Sequence, residues 1–485
     1  MKKIIAIKTL LLVTVYLSAQ NVGIGTTNPT EKLDVNGGIK IGNSTNAANG
    51  TIRWNASKKD FEGFNGSNWV SLTGSKGSWG SNVDYINEST ASAIRLQFNT
   101  AGDDLGKNLG SGLALINNYL IAGAARDYDG TGTVEDAGSV RIIKKENGIW
   151  NQHHILRAPG TETRSQFGYS VAADGNQFIV GASHAPVGSN TFQGRAYVYG
   201  LNFDGTPVYQ GTLTATNGTS VHGFGGSVDI SGNYAIVGAQ GYNAGAKMNR
   251  GAAYIFQKNI FNATWSEQIV LHPPDGGEED GIFGNTVSIS GNIAVVGSMF
   301  AHFGNMFRVG KVFVFRFLNN TWTHTQTLTP PTPQSFDRFG SALSLKGDTL
   351  IIGSSQWNGY ENSKNGKVYM YINPSDSFQL RATITATDGK KGDGFGSSLQ
   401  FENGYLIVGA SVANTGASES PGKAYIFKLN GNNWEQQAVL ASSNGSENDQ
   451  FGHAVVIGNA GAIVSSIYAN YQTYINHGRL YFFEE

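Results

Sequence analysis

No cysteine occurs in the 485-residue chain. That excludes disulfides, thiolate metal sites and a lipidated N-terminal cysteine as anchor. It does not argue against export, because a chain of this length can bury a core that needs no staples. Charge is also scarce: Asp, Glu, Lys and Arg make up 14% of the residues, against about 25% in an ordinary soluble domain. Asn, Ser, Thr and Gly must therefore cover much of the surface. A net charge of −1 without a basic stripe leaves a nucleic-acid partner no electrostatic footing. Long apolar runs are missing too, except for Ile4 to Leu17, which follows Met1-Lys2-Lys3 and precedes Ser18-Ala19-Gln20. Lys8 interrupts this run, and what remains is short for a membrane span. Its basic start and small-residue end read as a secretory signal peptide, residues 1–19, cleaved after Ala19. The mature protein is expected to be exported, without a transmembrane segment, and secreted or held at the outer cell surface.

What the chain has in abundance is repetition. Phe-Gly starts a unit at Phe167, Phe224, Phe283, Phe339, Phe395 and Phe451, and Leu109-Gly110 starts a first one. Successive gaps are 58, 57, 59, 56, 56 and 56 residues. Fourteen residues after each start stands Gly123, Gly181, Gly238, Gly297, Gly353, Gly409 and, out of pattern, Ser465. A nearly constant period of 56 to 59 residues marks one supersecondary unit copied seven times.

Each unit holds four strand-like runs. In the second they are Phe167–Ala172, Gln177–Ala182, Arg195–Tyr199 and Val208–Leu213, with a Gly/Asn hairpin turn between the first two. Third strands such as Ala253-Tyr254-Ile255-Phe256 and Val312-Phe313-Val314-Phe315 are bulky and apolar on both faces. Blades stacked face to face cover both faces, whereas a sandwich leaves one wet. The expected fold is all-β: a seven-bladed propeller of four-stranded blades over residues 91–485. The Phe of each unit is expected to wedge between blades, and the Gly to permit close backbone approach where inner strands converge on the axis. An apolar fourth-strand residue precedes each later start: Leu156, Leu213, Leu271, Leu328, Ile384 and Leu440. Ahead of the first start the matching residue is Phe98, and the seventh unit stops after its third strand. Ala91–Phe98 is therefore expected to supply the outer strand of blade seven and close the ring.

Phe-Gly-x-Ser-Val, Val-Gly-Ala and Gly-x-x-Tyr-x-Phe together resemble FG-GAP repeats, the propeller repeat of integrin α subunits. The resemblance spans residues 91–485, is strongest to the bacterial branch, and implies extracellular recognition or adhesion. Integrin-type repeats carry Asp-rich calcium loops between the first two strands; here those positions are short turns without room for the ligands. Ahead of the repeats, residues 20–74 contain short alternating runs and Asn-Gly turns. They resemble the head segments of phage tail-fibre-like and exported surface proteins, notably of Bacteroidota, which implies a fibre-like β segment and homo-oligomerisation through it. Residues 75–90, rich in Gly, Ser and Asn, read as a linker.

Candidate binding residues lie on the loops between second and third strands, on the face where blade-joining loops also emerge. Aromatic residues concentrate there: Phe300, Phe303 and Phe307 in loop four, Trp357 and Tyr360 in loop five, Tyr242 in loop three, Tyr468 and Tyr471 in loop seven. Rigid aromatic platforms suit a glycan or an extracellular protein; the alternative is that they brace one another. Loop one, with Asp127, Asp129, Thr131 and Glu135, approaches a calcium-loop spacing; its alternative is a solvated acidic turn. Calcium is the one cofactor the sequence suggests. Asp337, Asp393, Asp449 and Glu278-Glu279-Asp280 recur just before Phe-Gly, which fits carboxylates accepting loop N–H bonds. His153 and His154, adjacent on a strand, are expected on opposite faces. No nucleophile elbow, phosphate loop or zinc motif occurs, so no catalytic residue is assigned. The leading reading is a non-enzymatic binding or adhesion protein. The alternatives are an assembly component oligomerising through its N-terminal segment and, behind that, a glycan-active enzyme.

Overall fold

In a computed structural model of the chain, the Phe-Gly units fold as blades around an axis. The structure describes residues 108–128, 134–160, 164–245, 247–356, 365–411, 422–431, 433–442, 448–469 and 478–483. Ahead of these it describes six short strands, Val22–Ile24, Leu33–Val35, Ile52–Asn55, Asp60–Phe64, Trp69–Ser71 and Tyr85–Ile86. The chain divides into two units, Met1–Gly77 and Ser78–Glu485. In the first, Val22–Ile24 pairs in parallel with Leu33–Val35, and the next three strands form an antiparallel sheet.

The second unit carries the blades. Blade two is an antiparallel sheet of Phe167–Asp174, Gln177–Ala182, Arg195–Leu201 and Pro207–Leu213, from axis to rim. Blades one and three to six repeat this order, and blade seven has three strands among the described residues, Phe451–Gly458, Gly461–Ser466 and Arg479–Phe483. Third strands are buried on both faces, as Ala253 to Phe256 shows. Tyr85–Ile86 lies parallel to the end of the outer strand of blade six, pairing with Val439 and Leu440.

What fixes one blade against the next is visible at the Phe-Gly step. The phenylalanine is fully buried in six blades. Its ring packs against the aromatic residue of its own third strand, as in Phe224–Tyr254 at 5.3 Å and Phe395–Tyr425 at 5.3 Å. It also joins a cluster with the preceding blade: Phe167 packs with Val140 and Ile142 of blade one. The glycine that follows has φ between 85° and 93° in all seven units, a conformation that L side chains avoid. Its crowding comes from the neighbouring blade and not, as the convergence of inner strands suggests, from the axis. A Cβ at Gly168 would strike Ser139 O, and one at Gly123 would overlap the carbonyl of Gly168. The same opposition of second-strand glycine and Phe-Gly glycine recurs at Gly181/Gly225, Gly238/Gly284, Gly353/Gly396 and Gly409/Gly452.

Hydroxyls from the preceding blade donate to the Phe-Gly carbonyl: Ser170 to Gly225 at 2.9 Å, Thr286 to Gly340 at 2.8 Å, Ser398 to Gly452 at 2.8 Å. Blade seven has Ala454 where blades two, three, four and six place that Ser or Thr, and Ser465 where the other six place glycine. Ser465 Oγ donates to Gly110 O at 2.9 Å, so the exchanged pair rebuilds the same bond across the seventh junction. Lys145 Nζ reaches Ala460 O at 2.8 Å, and Leu109, Leu120 and Trp150 share a core with Val456, Ile463 and Phe482. The ring is thus closed between blades seven and one.

The closing strand expected at Ala91–Phe98 lies outside the described residues. On either side of it, Tyr85–Ile86 pairs with the outer edge of blade six, and Asn108 begins the described part of blade one. Deletion of residues 91–98 is expected to lower the melting temperature of the whole propeller in one cooperative step; an unchanged transition would show that blade seven needs no fourth strand. The glycine opposition gives a sharper test. Gly238→Ala should cost about 1–3 kcal/mol or more, because the added carbon meets backbone. Gly232→Ala, at a turn with open space and φ of 55°, should cost about 1 kcal/mol. Equal losses in urea unfolding would refute the spacing role.

Candidate functional site

The inner strands leave an open axis. Each exposes a free edge, and side chains of the preceding blade satisfy it: Gly232 N donates to Asp174 at 2.8 Å, Gly347 N to Ser290 at 3.0 Å, Phe401 N to Ser344 at 3.1 Å, Ile457 N to Gln400 at 2.6 Å. Midway, one apolar residue per blade forms a collar: Leu113, Val171, Val228, Val287, Leu343, Leu399 and Val455. The collar divides the axis into a narrow end of 420 Å³ beside the hairpin turns and a wide end of 830 Å³ on the long-loop face.

Two repeat positions line the wide end. One is the residue after Phe-Gly: Ser111, Tyr169, Gly226, Asn285, Ser341, Ser397 and His453. The other lies three residues past the second-strand glycine or its Ser465 counterpart, and supplies Arg126, His184 and Tyr468. Most of the large polar groups thus gather on blades seven, one and two, with Gln240 of blade three as the exception. No Asp or Glu lines the cavity among the described residues, and Arg126 is its one Lys or Arg. The Arg126 side chain is exposed and makes no hydrogen bond or ion pair among the described residues. Burial raises the Tyr169 phenol, Tyr468 adds to the rise, and Arg126 opposes it. Burial lowers His184 and pushes His453 down to about 4, so both are neutral at pH 7. Asn108 and Gln166, just before the first two units, also line the cavity. Asn108 Oδ1 and Gln166 Oε1 are buried atoms without a partner among the described residues. Both residues hold left-handed backbone, with φ of 62° and 54°.

Among the aromatic loop residues, Tyr468 alone lines this cavity within the described set. Tyr242 is a brace, its ring 5.3 Å from His222 and 5.2 Å from His272. Phe300 lies under two guanidiniums, Arg308 at 4.7 Å and Arg338 at 5.1 Å. Phe303 and Phe307 are exposed, at 40% and 60%, with Phe307 edge-on to His302. Trp357, Tyr360 and Tyr471 lie outside the described residues, as do Asp129 and Thr131. Of the calcium candidates, Asp127 is fully buried, accepting from Arg141 Nη2 at 2.7 Å and Ser139 Oγ at 2.6 Å. Glu135 is exposed and accepts from the Tyr128 hydroxyl at 3.4 Å. No group of three or more His, Asp or Glu is poised to hold a metal among the described residues. The carboxylates before Phe-Gly do accept loop amides: Asp337 from Gln334 N at 2.8 Å, Asp393 from Lys390 N at 2.7 Å. His153 and His154 depart from expectation. A bulge between Gln152 and His154 interrupts the alternation, and their rings meet edge-on at 4.5 Å.

A family model for the FG-GAP repeat matches residues 150–199, 208–256, 265–315, 322–371, 378–427 and 434–483. The chain belongs to the FG-GAP repeat family. Each match begins with the outer strand of one blade and ends with the third strand of the next, so an FG-GAP repeat is a blade junction and not a blade. No curated protein matches the chain. Among solved structures it is similar to a Bacteroides uniformis protein provisionally described as a 6-phosphogluconolactonase, at 13% identity over 67% of this chain and 83% of that one, TM-score 0.44. It is also similar to Saccharomyces cerevisiae Sqt1, at 11% identity over 83% and 99%, TM-score 0.42.

At the narrow end, Asp229 accepts from Ser288 Oγ at 2.7 Å, Ile289 N at 2.8 Å and Ile230 N at 2.8 Å. Part of it faces the channel, yet inner strands surround it, and burial raises its pKa to about 6 against those three bonds. The folded state therefore holds this proton more tightly than the unfolded chain does. Stability from this group grows as pH falls from above 6 towards 4 and is lost as pH rises through 6. Compared with Asp229→Asn, the wild type should gain stability between pH 7 and pH 4.5 in parallel urea titrations. A constant difference across that range would place the pKa elsewhere.

Proposed function

We propose that this FG-GAP protein is an exported, non-enzymatic binding protein that recognises a glycan or an extracellular protein on its long-loop face. The observation that carries the reading is the wide axial cavity on that face, lined by the exposed Arg126 side chain and by Tyr169 and Tyr468. Phe303 and Phe307 on the same face add exposed aromatic area. The signal peptide read in residues 1–19 supports export. A propeller whose glycine junctions fix every blade offers a rigid platform, which lowers the ordering cost of binding.

The test is a glycan array and an extracellular-protein pull-down with mature protein, residues 20–485. Phe303→Ala/Phe307→Ala and Arg126→Gln each remove a feature of the long-loop face. Phe203→Ser/Phe261→Ser alters turns on the opposite face, where these side chains are also exposed. A ligand weakened at least tenfold by a long-loop-face variant, and unaffected by the opposite pair, is the expected result. Loss of binding only in the opposite pair would move the site to the other end, and a trimer abolished by deleting residues 20–74 with no ligand found would favour the assembly reading.

A further inference from the structure

We propose that the face opposite the long loops seats the protein on a lipid surface, through apolar side chains on the turns between third and fourth strands of blades one to four.

These side chains are Ile149 of blade one, Phe203 of blade two, Ile260 and Phe261 of blade three, and Leu318 of blade four. They are 53%, 106%, 74%, 91% and 43% exposed. A single exposed apolar residue is ordinary; five on the corresponding turns of four consecutive blades form an apolar arc. The turns do not compel this. In the corresponding turn of blade five, Phe378 folds inwards to 3% exposure, its N–H donating to Gln326 Oε1 at 2.8 Å and its carbonyl accepting from Gln326 Nε2 at 2.9 Å. Blade six has only Asn and Gly from Asn430 to Asn433.

The two most exposed tips are held in place from behind. The Tyr119 hydroxyl of blade one donates to Phe203 O at 3.2 Å, and His153 Nε2 lies 2.6 Å from Asp204 O. Lys258, at the foot of the next turn, donates to Gln177 Oε1 at 2.9 Å and Gln210 Oε1 at 3.0 Å, both of blade two. Both turns are thus anchored on the preceding blade while their phenylalanine rings stand in solvent.

Three features select lipid over a protein partner. The side chains stand on separate turns along an arc, which suits a plane better than a groove. Turn amides that a protein would pair with are used within the turns: Asn259 Oδ1 accepts from Phe261 N at 2.8 Å, Asn262 Oδ1 from Thr264 N at 3.1 Å, and Asp204 Oδ1 from Thr206 N at 2.9 Å. An apolar medium offers an amide no partner, so a tip satisfied from within is the kind that can enter one. Finally, the nearby cations are engaged, Lys144 with Glu146 at 2.6 Å, Lys145 with Ala460 O, and Lys258 with the two glutamines. Binding would therefore rest on apolar insertion and not on anionic lipid. Asn202, Asp204 and Asn259 beside the tips limit that insertion to the headgroup boundary. A protein seated this way turns its long-loop face to solution.

The test is cosedimentation of the mature protein with phosphatidylcholine vesicles at low and high salt. The bound fraction should be similar at both, and should fall at least fivefold in Phe203→Ser/Phe261→Ser, with a melting temperature close to wild type. Because the chain has no cysteine, Ile260→Cys and Asn305→Cys each accept one environment-sensitive fluorophore, at a turn tip and on the long-loop face. Vesicles should shift the emission of the first to the blue and leave the second unchanged. The proposal is overturned if the wild type does not sediment, if only anionic vesicles bind and high salt releases the protein, or if the double variant binds as well as wild type. It is also overturned if light scattering without vesicles shows an oligomer that the double variant loses, which would assign the tips to a second copy. The ligand reading of the long-loop face stands or falls separately, because neither Phe203 nor Phe261 belongs to that face.

Discussion

The contact on which the fold depends is backbone against backbone. A second-strand glycine of one blade faces the Phe-Gly glycine of the next so closely that neither can carry a Cβ. This sets how near two blades stand at the axis. It also places each phenylalanine where its ring can meet the third strand of its own blade edge-on and the apolar face of the blade before it. Dispersion over such fixed distances is sensitive to small gaps, so the glycines and the phenylalanines act together. The seventh junction shows that the requirement is on the contact and not on the residue type. There Ser465 and Ala454 exchange the usual positions of small residue and hydroxyl, and the bond to the Phe-Gly carbonyl survives.

The second constraint is hydrogen bonding at the inner edge. Seven inner strands cannot pair with one another as a continuous barrel, yet their edge amides need acceptors. Asp174, Ser290, Ser344 and Gln400 supply them from blade to blade. Because side chains do this, the axis stays open, and several residues after Phe-Gly turn to the loops instead: Ser111 accepts from Ala125 N, Asn285 from Met299 N and Ser341 from Ser355 N. The residue after Phe-Gly is Ser, Tyr, Gly, Asn, Ser, Ser and His in turn, while Phe and Gly beside it hardly vary. Within a repeat, invariance marks the junction and variation marks the cavity.

This division also explains what was legible in the sequence. The starts at Phe167 to Phe451, the two-faced third strands and the hairpin turns revealed the propeller, because each is a local signal repeated with constant spacing. The site was less legible because it is made by closure. Arg126 and Tyr468 are 342 positions apart, and only the ring brings them to one cavity; aligning the repeats at the third residue past the second-strand glycine would have grouped Arg126, His184 and Tyr468. The aromatic loops drew attention by composition, but composition does not separate a brace from a platform. Tyr242 is clasped by two imidazoles and Phe300 by two guanidiniums, whereas Phe303 and Phe307 remain exposed. The pair His153 and His154 failed for a different reason: strand alternation holds only without a bulge.

The polar side of the cavity coincides with the junction that closes the ring. Ser111 follows Gly110, which accepts from Ser465, and Tyr468 stands three residues beyond Ser465. Blades seven and one meet without the glycine opposition used elsewhere, through a hydroxyl, Lys145 and a shared apolar cluster. A ligand spanning Arg126, Tyr169 and Tyr468 would touch blades one, two and seven, and so bridge that junction. Whatever binds only the closed ring stabilises it by mass action. Such a ligand would engage residues on both sides of the junction at which Ser465 replaces the second-strand glycine.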